Sequence, residues 1–148
     1  MKQNDISNEE KYEVYKAMMI NLKKAVNLKF YYEVIFISYA IIEDRCNSIL
    51  KYSGVQVPNG ISKKLNILSK LIQDRDKNIT KYLSEDLITN IDVWRNDRNS
   101  LVHSLANLKY DNVKLEDIAL QGAELSKALS NKSISIRRNY VKNNYYDK

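Results

Sequence analysis

Between Trp94 and Leu105 the chain reads Trp94-Arg95-Asn96-Asp97-Arg98-Asn99-Ser100-Leu101-Val102-His103-Ser104-Leu105. A guanidinium, an amide and an imidazole stand here within six residues, Arg98 to His103. His103 is the only histidine, so a reaction that needs a group titrating near neutral pH has one candidate. Arg98 is a permanent cation whose planar fork can bind two oxygens of one anion. It also interrupts a pattern. Leu87, Ile91 and Trp94 recur at helical spacing before it, and Leu101, Leu105 and Leu108 continue the stripe after it. A helix that only filled a core would carry Leu or Ile at that position, and such local breaks concentrate at functional sites. The competing reading is a structural hydrogen-bonded Arg98–His103 pair at a helix interface.

Other chemistries are poorly supplied. A zinc site takes three or four ligands, usually His or Cys, and the chain has one of each. Ser100 or Ser104 with His103 would make part of a hydrolase set, but both lie too close to the histidine on one helix to face its ring. Cys46 with His103 lacks a third group to orient the base. Gly54 and Gly60 are too far apart for a phosphate-cradling loop.

The run Arg98-Asn99-Ser100-Leu101-Val102-His103 is an arginine, a polar residue, three others and a histidine. It resembles the signature of the HEPN superfamily (higher eukaryotes and prokaryotes nucleotide-binding). The bundle-wide likeness covers residues 10–130, and the six motif residues are its specific part. The resemblance implies a small helical bundle acting as a metal-independent, cofactor-free endoribonuclease on single-stranded RNA, in a toxin or phage-defence setting. It also implies a homodimer. In the implied chemistry the substrate's own 2′-hydroxyl attacks the phosphate. His103 serves as base and acid, one from each subunit, while Arg98 stabilises the phosphate charge. Asn99 would fix the imidazole or a phosphate oxygen, and Arg95 would extend the positive field. There is one departure. HEPN toxins silenced by a nucleotidyltransferase antitoxin often carry a tyrosine two residues after the histidine, where this chain has Leu105. That modification is not expected here, though an antitoxin or regulatory protein is still an expected partner. Two readings stand beside this one: a silent HEPN-type bundle that binds RNA, a nucleotide or a partner protein, and a structural helical adaptor.

Helix geometry bears on the pair directly. Positions five apart are about 7.5 Å apart in rise and about 140° apart around the axis. Arg98 and His103 therefore do not share a face, whereas Asn99 and His103, four apart, do. A two-fold axis could bring two such pairs into one groove.

The elements that must position these residues read as helices. Of 148 residues only three are Gly and one is Pro, and β-type alternation is hard to find. An all-α, antiparallel up-and-down bundle of four or five helices is expected. Ser7 with Glu10 makes a capping box before a first helix to about Leu28. A second, most apolar helix spans about Lys29 to Tyr52, with Ile35, Tyr39, Ile42, Cys46 and Ile49 as its seam and Cys46 as a small buried hydrophobe. Val34, Phe36, Ile37 and Ile41 add apolar surface on other sides, which makes it the central helix. Glu43, Asp44 and Arg45 interrupt it and are either partners for Arg98 or an exposed acidic step. After the loop Ser53 to Gly60, a third helix runs from about Ser62 to Arg75, with Lys63, Lys64 and Lys70 outward. The motif helix follows from Ser84 to about Leu108, then a last helix from about Leu115 to Leu129.

Two units are expected: a helical domain over residues 1–130 and a basic tail over 131–148, with at most a short helix. The tail carries Lys132, Arg137, Arg138, Lys142 and Lys148 against Asp147, with Tyr140, Tyr145 and Tyr146 interleaved. Arg137, Arg138 and Lys142 are candidate phosphate contacts, and the alternative is a solvated terminus. The formal net charge of the chain is +6. One cysteine excludes an internal disulfide and points to a reducing compartment. The longest apolar run, Val34 to Ile42, is about half a membrane span. The chain reads as cytoplasmic, soluble and without a membrane partner.

Overall fold

The computed structural model describes residues 7–109 and 111–146 and is all-helical over them. The helices are α1 (Asn8–Asn27), α2 (Tyr31–Tyr52), α3 (Ile61–Gln73), α4 (Lys77–Thr80), α5 (Glu85–Ala106) and α6 (Asn112–Tyr146). Tyr110, Asp147 and Lys148 lie outside the described residues, as do the side chains of Tyr145 and Tyr146. The starts follow local chemistry. Ser7 and Glu10 form the expected reciprocal cap on α1. Asp76 accepts from Asn78 and Ile79 to start α4, and Ser84 accepts from the Leu87 N–H to start α5. α4 is a single turn that the apolar pattern does not announce.

α2 is the hub. It packs on α1, α3 and above all α6, burying Val34, Ile35, Ile41, Ile42, Cys46, Ile49 and Leu50. α6 buries the small residues Ala119, Ser126, Ser130 and Ser133 together with Leu115, Ile118, Leu125, Leu129 and Ile136. Ser126 and Ser130 return their hydroxyl protons to the carbonyls of Ala123 and Ser126, so burying them leaves no donor unpaired. α2 and α6 run in the same direction. Tyr31 lies beside Glu116 near both starts, and the Tyr52 and Tyr140 rings meet at 5.3 Å near both ends. A strictly alternating up-and-down path would set these two helices opposed, so the expected topology is corrected at its largest interface. α5 returns antiparallel to α6 through the short turn between them, and it also packs on α3.

Several local expectations change. α6 continues through the boundary expected at Ser130, because Ser133 and Ile136 keep facing the core. Residues 131–146 are therefore the second half of a 35-residue helix rather than a tail. Lys64 is buried, at 5% exposure, because its ammonium reaches Glu43 at 2.7 Å. Leu108 is past the end of α5 in a left-handed conformation (φ 57°) and 95% exposed, so it does not extend the stripe. Phe36, counted as core surface, is 76% exposed.

Candidate functional site

α5 is held by Trp94, and that fixes where the motif faces. The indole is fully buried and donates its Nε1–H to the Ile118 carbonyl of α6 at 2.8 Å. Gly122 makes the approach possible: a Cβ there would meet the indole at 2.5 Å. With Ile88, Ile91, Trp94 and Leu101 buried, Arg98 falls on the inward stripe and His103 on the outward one.

Arg98 is half-buried. Its guanidinium carbon is 4.3 Å from the centroid of the Tyr39 ring on α2, a cation–π contact. Its Nε is buried with no hydrogen-bond partner, and no carboxylate pairs with it among the described residues. The acidic step on α2 is occupied elsewhere. Glu43 holds Lys64, and Asp44 pairs with Arg45, whose guanidinium stacks 4.2 Å from the Tyr15 centroid. Arg98 is thus positive charge held against a ring, not neutralised.

His103 is exposed, on the same outward stripe as Val93, Asn96 and Ser100. Its ring makes no hydrogen bond or ion pair among the described residues. Within one chain the structure does not bring His103 to Arg98, in keeping with their angular offset. Asn99 is half-buried between the two directions, without a side-chain hydrogen bond among the described residues. Arg95 spends its Nε–H on Asp92 at 2.9 Å, which offsets part of its charge. Arg137, Arg138 and Lys142 are exposed on the far half of α6. Gly122 to Arg137 is a rise of about 22 Å, and Arg98 lies about a turn further away, so this patch is not assembled with the motif.

No family model, curated protein or solved structure matches this chain. The site must therefore be judged on its own groups. Ser100 and Ser104 donate to the carbonyls of Asn96 and Ser100, so neither hydroxyl proton is directed at His103. Cys46 is fully buried, and burial pushes its thiol up to about 12, so it is no nucleophile. Among the described residues no group of three or more His, Cys, Asp or Glu is placed to hold a metal ion, and no helix is long and apolar enough to cross a membrane.

Sequence reasoning missed Tyr39 as the ring beneath Arg98. The signal was present, since a tyrosine in an otherwise aliphatic seam is as irregular as an arginine in a leucine stripe. It also missed Gly122, the one glycine inside a helix, where a close contact is the usual reason.

Proposed function

We propose that this protein is a HEPN-type, metal-independent endoribonuclease that cuts single-stranded RNA as a homodimer, in a toxin or phage-defence role. The observation that carries the reading is the state of Arg98: an unpaired guanidinium, pinned on Tyr39 with its Nε buried, five residues before the only histidine, which is left exposed. A structural arginine in this position would be expected to hold a carboxylate. An unpaired one is a preorganised anion site.

In the reaction, His103 removes the 2′-hydroxyl proton and the resulting oxygen attacks the adjacent phosphorus. The P–O5′ bond breaks, and the departing oxygen takes a proton from the partner's His103. The products are a 2′,3′-cyclic phosphate and a 5′-hydroxyl. Arg98 holds the equatorial oxygens, and Asn99, on the face of His103 but not bonded to it in the free chain, is placed to take the imidazole or a phosphate oxygen once RNA is bound. The two-fold arrangement is favoured by the surface beside Arg98. Arg98, Val102 and Leu105 form one stripe of α5, and Tyr39, Phe36 and Tyr32 one stripe of α2. The helices are antiparallel, so both stripes advance together from the Arg98–Tyr39 contact. Val102 and Phe36 on them are 51% and 76% exposed. That apolar strip between Arg98 and His103 is suited to a second copy of itself.

Arg98→Ala and His103→Ala should each abolish cleavage of mixed RNA in chelator and leave far-UV helicity unchanged. Arg98→Lys should also fail, by roughly a hundred-fold or more, because an ammonium can neither stack on Tyr39 in the same way nor bind two oxygens. Full activity in any of the three returns Arg98 and His103 to a structural role.

A further inference from the structure

Where α2 and α6 begin side by side, an open cavity of about 410 Å³ lies between them. It is lined by Lys29, Phe30, Tyr32 and Glu33 on one side and by Asn112 and Leu115 on the other. Its volume falls within the range of small-ligand clefts, roughly 300–1,000 Å³. Tyr31, which also lines the cavity, lies beside Glu116 where the two helices start. Phe30 occupies the position before α2 where a capping side chain would normally sit, and no side chain caps that helix. Yet its ring is not buried for the loss. Phe30 is 54% exposed and Tyr32 51%, both against the cavity. Lys29 beside them has no ion-pair partner among the described residues.

We propose that this cavity takes one unpaired nucleotide of an RNA strand, its base stacked on Phe30 and Tyr32 and a flanking phosphate on Lys29. Aromatic faces beside a lysine are the chemistry that holds single-stranded RNA. Glu33, the acidic lining residue, supplies an acceptor for a base N–H. Position ties the cavity to the motif: α5, which carries His103, ends at this same end of the bundle, six residues before Asn112 opens α6. The inference rests on the RNA reading above, but it concerns binding and can fail separately.

The test uses the full chain and a fluorescent single-stranded 2′-O-methyl RNA oligonucleotide, which binds but cannot be cut by transesterification. Phe30→Ala should weaken binding roughly five- to a hundred-fold with the salt slope unchanged. Lys29→Gln should instead lower the slope by roughly 0.7, the mark of one lost phosphate contact. Phe30→Trp should keep wild-type affinity, and its added indole emission should be quenched by saturating oligonucleotide. Wild-type affinity in Phe30→Ala, or an unquenched Phe30→Trp, overturns the cavity assignment while leaving cleavage by Arg98 and His103 standing. Binding that depends on Phe30, in a protein that cuts no RNA, does the reverse. A wild-type chain that does not bind the oligonucleotide overturns the assignment outright.

Discussion

At the scale of single residues, burial decides which groups can react. The linear chain offers Cys46 as a small buried hydrophobe and His103 as the candidate base, and the fold seals the first in α2 and leaves the second facing solvent. The raised thiol of Cys46 has a consequence for stability. Its folded value of about 12 is above its ordinary value of 9.0, so between those limits the unfolded chain loses a proton that the folded chain keeps. Stability from this group is complete below the ordinary value and falls as pH rises through the window. Urea melts at about pH 8 and about pH 10 should show a larger loss for the wild type than for Cys46→Ala, in which the other titrating groups are unchanged. At about pH 8 a thiol reagent should label Cys46 only once urea has unfolded the chain. Equal pH slopes in the two proteins would mean that the thiol is not buried as described.

At the scale of the element, α5 is aimed by a contact on α6. An exposed glycine inside a helix is normally improved by alanine, by roughly 1 kcal/mol. Gly122 should behave in the opposite sense, because its missing Cβ is the space the Trp94 ring fills while its Nε1–H reaches Ile118. Gly122→Ala should cost about 1–3 kcal/mol, as overpacking does, and should alter the near-ultraviolet signal of the only tryptophan. Because Trp94 is one turn before Arg98, cleavage should fall as well. A stabilised Gly122→Ala would show that the indole sits elsewhere.

The whole molecule turns on how far α6 extends and on what covers the α2–α5 strip. Removing residues 131–148 takes away Ser133 and Ile136 from the core and Tyr140 from the Tyr52 ring. Truncation after Ser130 should therefore cost about 2–5 kcal/mol, by analogy with large deletions in a core. Replacing only exposed Arg137, Arg138 and Lys142 with serine should leave the melting temperature in place. If they touch RNA, the salt slope of binding should fall by up to roughly 2. An unchanged slope would assign them to solvent. Sedimentation at micromolar concentration should report about twice the 17.3 kDa chain. Phe36→Asp or Val102→Asp should give a helical, inactive monomer. A monomer that still cleaves RNA would exclude a composite site.

The all-helical class, the caps at Ser7 and Ser84, the burial of the α2 seam at Ile35, Ile42, Cys46 and Ile49, and the irregularity of Arg98 were legible in the linear chain. Each depends on residue types a few positions apart, which set local hydrogen bonds and the side of a helix that must leave water. The direction of α2 against α6, the capture of Lys64 by Glu43, the extension of α6 past Ser130 and the ring beneath Arg98 were not legible. These depend on which helices meet, and partners 21 positions apart, as Lys64 and Glu43 are, leave no periodic trace in the sequence. Position and type made Arg98 and His103 candidates. Only packing decided that one lies unpaired against Tyr39 while the other faces outward, because the angle between them is a property of the helix and what fills that angle is a property of its neighbours.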